Sequence, residues 1–372
     1  MRNIGIMTFH ASHNCGSMLQ AFALQRFLKT RLNESSEIIN YSNENQQRIY
    51  SVLYRPKSIK QVLRNLLNLF FFKRLKKHFT DYNEFLAKNC ILTKQSYSKI
   101  SQLKEVSNSF SHVITGSDQV WNINAADCDY AYYLSEFSNC KKIAYAVSLG
   151  ATNISEHPKK NELKKLINEF SHISVREQNA QKWVQNLYNQ GDVNICADPT
   201  LLLDSEEWEN LVGTREVQGK YIFWYAMTYK KEMQNIVLNI SKQTGLPVYV
   251  IDAKEWSRRG LFLRGIKVAK NGGPSSFLSL IKNAELVLTS SFHGSIFSSI
   301  FRKNFWYLNL RDHVTQDDRS SFLLKQLGLE NRFLMKSEIL KQDLTKPIDY
   351  CGKFNINDLL AKSRNFLSEA LR

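Results

Sequence analysis

Three polar stretches of this sequence each follow a short apolar run, and each holds groups that a hydrophobic core does not need. They are Phe9-His10 with Asn14 and Gly16, Gly116-Ser117-Asp118-Gln119 with Trp121 and Asn122, and Ser290-Ser291-Phe292-His293-Gly294-Ser295. The third is the most informative. A histidine there can give or take a proton near neutral pH. Gly294 and Ser295 are expected to open a helix, whose unpaired N–H groups and positive dipole end attract phosphate or carboxylate. Arg176 closes the run Ser174-Val175-Arg176-Glu177, where a guanidinium can clamp an anion in bidentate fashion. Arg319, in Asp317-Asp318-Arg319-Ser320, is a second such candidate. From spacing alone each group also has a structural reading: His293 as a cap or buried ring, Arg176 as a partner of Glu177, Asp118 as a loop cap.

The elements that must position these groups alternate. Ile4–Phe9 reads as a strand, Met18–Leu32 as a helix by its apolar spacing, and Ile38–Tyr41 as a strand. Further strands are predicted at 110–115, 142–149, 173–176, 193–197, 221–226, 248–251, 284–289 and 305–308, with helices between most of them, including one at 295–301 after a loop at 290–294. This pattern predicts an α/β fold of two parallel-sheet domains with a boundary near 200–219. The expected division is 1–205, 215–345 and a final helical segment 346–372. In open parallel sheets ligands bind at the carboxyl ends of the strands, where all three polar stretches fall.

Composition narrows the partners. The chain has 372 residues, 43% hydrophobic and 12% aromatic, enough to build cores in two domains. Its formal charge of +16 favours an anionic partner. The six cysteines form no C-x-x-C pair, which points away from zinc knuckles and redox pairs, and we see no metal-ligand cluster. No secretory leader or membrane-spanning run is read, so the expected location is cytoplasmic. The charge is concentrated in one place. Residues 48–80 carry nine Lys or Arg and no Asp or Glu. Within that segment Ile59, Val62, Leu63, Leu66, Leu67, Phe70 and Phe71 share one helical face, and Lys60, Gln61, Arg64, Asn65 and Asn68 share the other. Lys73, Arg74, Lys76 and Lys77 follow. Such a helix suits an anionic membrane surface; the alternative is that its apolar face packs on its own domain. No nucleic-acid motif is present, and the remaining basic residues are spread over both halves.

Taken in order, these stretches resemble the polysaccharide pyruvyl transferase family. The matching runs are Gly5–His10 with Asn14–Gln25, Gly116–Asn122, Ile173–Glu177, Ala197–Leu203, Ser291–Ser298 and Arg319–Leu329. The resemblance covers roughly residues 4–335, and it implies a GT-B-like pair of Rossmann-like domains facing across a cleft. It also implies phosphoenolpyruvate as co-substrate with no further cofactor, a saccharide acceptor, and a pyruvate ketal as product in capsular or exopolysaccharide synthesis. By position His293 resembles the catalytic histidine. Arg176, with Ser291, Gly294, Ser295 and Arg319, falls on the donor side. His10, Asn14, Gly16, Asp118, Gln119 and Trp121 fall on the acceptor side. Many members carry Arg two residues before the histidine; this chain has Ser291, and Arg319 is the favoured substitute over Arg311 and Lys303. An acceptor linked to undecaprenyl diphosphate would place the enzyme on the inner face of the plasma membrane, through residues 57–79. The alternative is a glycosyltransferase of the same architecture using a nucleotide sugar.

Overall fold

A computed structural model describes residues 3–56, 58–309, 311, 316–339 and 341–372. Six strands, β1 (Ile4–Met7), β2 (Ser36–Ile38), β3 (His112–Thr115), β4 (Lys141–Val147), β5 (His172–Val175) and β6 (Val193–Ile195), form a parallel sheet in the order β2-β1-β3-β4-β5-β6. Six more, β7 (Ile222–Tyr225), β8 (Val248–Val250), β9 (Lys267–Val268), β10 (Leu286–Thr289), β11 (Phe305–Leu308) and β12 (Phe333–Leu334), form a second parallel sheet in the order β12-β11-β10-β7-β8-β9. Parallel strands are covered by helices on both faces, so they read as unbroken apolar runs: β1, β7 and β10 are buried at every residue.

The strand orders fix where a ligand can sit. In the first sheet the connections leave β1 in opposite directions, so a crevice opens between the carboxyl ends of β1 and β3. In the second sheet the same reversal falls between β7 and β10. Ligands of open α/β sheets bind at such switch points. Two of the polar stretches follow β1 and β3, and the third follows β10.

Helix α1 (Cys15–Arg31) crosses from the first switch point over the sheet, with Asn14 as its N-cap. Between β2 and β3 the chain inserts α2 (Glu44–Tyr50), α3 (Ile59–Phe70) and α4 (Phe72–Asn89). The basic stretch after Phe71 is therefore the start of a long helix. Although the insertion comes from the first sheet's connections, it packs on the second domain: α3 meets the helix Ala253–Arg258, and α4 meets the helix Gly273–Asn283. Gly272 N donates to Asp81 at 2.8 Å, and the His78 ring lies 3.1 Å from the Ala269 carbonyl oxygen. The last helix, Asn357–Ala370, returns to the first domain, where Ser363 Oγ accepts from Ala197 N at 2.8 Å. Trp208, fully buried, lies edge-on to Phe297 at 4.9 Å and tilted against Phe22 of α1 at 6.0 Å, so one aromatic group joins both halves.

One boundary differs from the sequence reading in a way that matters. The helix after β10 spans Phe292–Ile300 and begins three residues earlier than predicted. Ser291 is its N-cap, with Oγ accepting from Gly294 N at 3.4 Å. His293 therefore stands in the helix's first turn, and Gly294 and Ser295 do not open it. A serine cap is a stronger start signal than the glycine that follows.

Candidate active site

Helix α1 starts at the first switch point because Asn14 caps it, Oδ1 accepting from Gly16 N at 2.9 Å and Ser17 N at 3.3 Å. Gln20, one turn on and fully buried, ties two loops together. Its Nε2 donates to Thr8 Oγ1 at 2.7 Å after β1, and its Oε1 accepts from Ser117 N at 2.9 Å after β3. The turn after β3 needs Gly116, whose φ is +122°; a Cβ there would lie 2.1 Å from the Tyr145 carbonyl oxygen. Asp118 takes φ +73°, a left-handed geometry that aspartate tolerates better than most residues.

These turns deliver a buried charge network. Arg176, at the end of β5, donates from Nη1 to Asp198 Oδ2 at 2.6 Å and from Nη2 to Asp118 Oδ1 at 3.2 Å. Its Nε lies 3.7 Å from Glu177 Oε2, and its guanidinium carbon sits 4.3 Å from the centre of the Phe292 ring. Asp198 is shared: its Oδ2 is also 3.5 Å from His293 Nε2, while its Oδ1 accepts from Thr200 N and Oγ1. Ser17 donates to Asp118, and Gln119 N donates to it at 2.9 Å. One carboxylate thus links the arginine of the first domain to the histidine of the second.

The electrostatics follow from burial and pairing. Burial alone would raise the Asp198 and Asp118 carboxyls; the neighbouring His293 and Arg176 charges outweigh it and hold both below the usual carboxylate range. Glu177 differs. Burial dominates over the Arg176 and Arg319 charges and pushes its carboxyl up to about 7.

A cavity of about 310 Å³ opens on this network. The N-termini of three helices face it, through Asn14 and Ser17, through Ser291, Phe292 and His293, and through Arg319 and Ser320. Asp118, Gln119 and Arg176 also line it, with Asp127, Met227 and Tyr307 among the others. Gly16 explains how the domains close: a Cβ at that position would lie 2.2 Å from His293 Nδ1, so only glycine lets α1 reach the histidine ring. Tyr50 and Ile49 separate the cavity from a second one of about 220 Å³, where His13 stacks on Tyr82 with ring centres 4.9 Å apart and 3° between planes.

The sequence-predicted residues divide accordingly. His293, Arg176, Ser291, Arg319, Asn14, Asp118 and Gln119 line the cavity, and Gly16 backs the histidine. Gly294 and Ser295 lie behind it. Gly294 packs against Thr289 and Tyr225, and the fully buried Ser295 hydroxyl turns back to the Ser291 carbonyl. His10 is also enclosed, its ring 3.3 Å from Asn40 Oδ1 and 3.2 Å from Thr8 O, and burial lowers its basicity. Trp121 is core: it stacks on Tyr133 and donates to the Tyr132 carbonyl at 3.0 Å. The family resemblance puts both on the acceptor side by position; in the structure both side chains are buried away from the cavity. Arg319 reaches the same wall as Ser291 and is held by Asp317 in two bonds of 2.7 Å. Neither Arg311 nor Lys303 lines the cavity.

Three residues join the site without a site role in the sequence reading, Glu177 entering it only as a structural partner of Arg176. Asp198 follows β6 in Asp-Pro-Thr, which reads as a turn cap, and one oxygen does cap Thr200; the other oxygen serves the site. Ser17 and Glu177 stood beside the assigned residues without a signal of their own.

A sequence model described as polysaccharide pyruvyl transferase matches residues 14–313, a span that holds Arg176, Asp198 and His293 and stops short of Arg319. No curated protein matches the chain. Among solved structures, UDP-GlcNAc 2-epimerase from Methanocaldococcus jannaschii is similar over 99% of this chain and 100% of that one, with TM-score 0.55 and 13% identity. The UDP-N-acetylglucosamine 2-epimerase of Rickettsia bellii is similar over 100% and 96%, with TM-score 0.56 and 10% identity. The MnaA–UDP structure from S. aureus is similar over 100% and 97%, with TM-score 0.56 and 13% identity. At such identities the likeness speaks to fold alone: two Rossmann-like domains in a GT-B-like arrangement. With most of its length matched by the family's sequence model, this chain belongs to the polysaccharide pyruvyl transferase family.

Proposed function

We propose that the protein transfers the enolpyruvyl group of phosphoenolpyruvate onto two hydroxyls of a saccharide, forming a pyruvate ketal and releasing phosphate. The observation that carries this reading is the link from Arg176 through Asp198 to His293, at a cavity faced by three helix N-termini. Phosphoenolpyruvate brings a phosphate and a carboxylate. Helix N-termini and a guanidinium suit both, and Arg319 with Ser320 offers one such place in the cavity that Ser291 also lines. Arg176 is buried and committed to Asp118 and Asp198, so in this reading it fixes the carboxylates at the cavity wall.

The chemistry starts with a proton from His293 to the methylene carbon of the donor, which leaves an oxocarbenium-like centre at the carbon bearing the phosphate. One saccharide hydroxyl adds there and returns its proton to His293. Phosphate departs with the electrons of its C–O bond. The second hydroxyl closes the ketal, and its proton leaves with the phosphate. Asp198 holds the imidazole in place throughout. The second cavity, with its stacked His13 and Tyr82 rings, suits the apolar face of an acceptor sugar beyond the reacting one. In this reading the acceptor is lipid-linked and the product enters capsular or exopolysaccharide synthesis.

Calorimetric titration tests the donor. Phosphoenolpyruvate is expected to bind saturably, and Arg319→Gln to weaken it at least tenfold, as loss of a charged bidentate partner should (about 1.4 kcal/mol per factor of ten). Binding of UDP-sugars with none of phosphoenolpyruvate would instead favour a nucleotide-sugar enzyme.

A further inference from the structure

Helix α3 is mounted with its apolar face outward. Asn68 is fully buried and donates to the Val52 carbonyl at 2.8 Å. Asn65 exchanges two bonds with the Tyr54 backbone, of 2.8 and 3.0 Å. The side of the polar face that carries Asn65 and Asn68 is therefore the one held by the protein, while Lys60 and Arg64 stay exposed. The other face leaves Ile59 81%, Leu63 61%, Leu66 58% and Phe70 82% exposed. The second domain extends the patch. Phe71 lies 5.3 Å from the Phe262 ring, and the adjacent Leu263 is 80% exposed. A surface helix of a soluble protein normally points the opposite way, and an exposed apolar patch of this kind marks a binding surface.

We infer that this face docks on an anionic lipid bilayer. Charge decides the occupant. The segment 48–80 holds nine Lys or Arg and no Asp or Glu, and Lys60, Arg64, Lys73 and Lys76 border the exposed side chains. A second copy of the chain would bring the same unbroken positive set against itself, which like-charge repulsion opposes. An acidic bilayer surface meets both requirements, with apolar side chains entering the headgroup boundary and basic ones meeting lipid phosphates. Twelve residues of helix are far too short to span, and no helix among the described residues is long and apolar enough to cross a membrane. The helix therefore lies flat. Lys57, at the start of the expected membrane segment, lies outside the described residues.

This inference stands apart from the donor reading, since it rests on side chains that do not line the cavity. The test is co-sedimentation of the full chain with vesicles of phosphatidylcholine alone and of phosphatidylcholine mixed with phosphatidylglycerol. Binding is expected to the mixed vesicles, at least tenfold weaker to the neutral ones, and to weaken with added salt. Leu63→Ser/Leu66→Ser/Phe70→Ser and, separately, Lys60→Gln/Arg64→Gln/Lys73→Gln/Lys76→Gln should each lose at least tenfold in vesicle affinity. Turnover of a soluble acceptor and thermal stability should stay unchanged. No binding to the mixed vesicles, or equal binding by the serine variant, would overturn the inference. So would a stable dimer, by light scattering, that the serine variant dissociates, because a second copy would then cover the face.

Discussion

Asp198 serves an arginine and a histidine at once, and much of the site's behaviour follows from that. Its burial is compensated chiefly by Arg176 at 2.6 Å, with the His293 ring farther off at 3.5 Å. Replacing Arg176 with Met leaves Asp118 and Asp198 buried with less compensating charge, so we expect a loss of about 3–5 kcal/mol in urea unfolding, the usual cost of breaking a buried pair. Asp198→Asn should retain the Thr200 cap and reduce turnover at least tenfold by freeing the imidazole to rotate. Glu177 predicts a pH effect of opposite sign to that of an ordinary surface carboxylate. Burial raises its carboxyl from 4.5 to about 7. Between those values the folded chain keeps a proton that the unfolded chain has released, so stability falls as pH rises through this window, with a slope of up to about 1.4 kcal/mol per unit. Glu177→Gln removes this contribution. Thermal melts at pH 5, 6 and 7 should show the wild type losing ground to the variant as pH rises; a constant difference would contradict the assignment. At this scale the sequence was informative about His293 and Arg176, because a titrating or cationic side chain after an apolar strand is conspicuous. It was silent about Asp198, since a cap uses one carboxylate oxygen and nothing in the chain order shows where the second one points.

Helix starts carry the next level. Gly16 is the second residue of α1, and the ring of His293 occupies the space its side chain would fill. Gly16→Ala should overpack this contact, at a cost of about 1–3 kcal/mol in stability, and lower turnover at least tenfold by displacing the ring. Equal turnover would mean that the ring has room to spare. The onset of the Phe292–Ile300 helix shows what periodicity misses. Apolar spacing gives the body of a helix and leaves its first turn to the cap, and here the cap at Ser291 moves His293 from loop to helix. The orientation of α3 shows a second gap. Its spacing reveals two faces but not which of them the protein holds, because that choice depends on the backbone of residues 52–54, which Asn65 and Asn68 bind.

Across the whole molecule, both sheets reverse their connections at the strands that precede the polar stretches, and the two reversals meet at one cavity. The parallel sheets and the shared edge of their loops are legible in the sequence, because alternating strands and helices imply parallel sheets and parallel sheets place their loops on one edge; the strand orders that make the reversals are not. The insertion was legible as a basic amphipathic segment but not as a bridge. Its packing on the second domain arises from long-range contacts, such as Asp81 with Gly272, that no local pattern encodes. The positive charge also divides by position, part of it in the buried network around Arg176 and a larger block bordering the exposed face of α3.

The most direct measurement is the reaction itself in deuterated water. The purified chain, incubated there with phosphoenolpyruvate and a panel of saccharides, is followed by mass spectrometry and proton NMR. If His293 protonates the methylene carbon from a solvent-exchanged position, the ketal methyl group carries one deuterium. His293→Ala should then lose turnover by about 10²–10⁴-fold while keeping its melting profile and donor binding. A ketal formed at wild-type rate by His293→Ala, or phosphate release and ketal absent with every acceptor, would contradict the account.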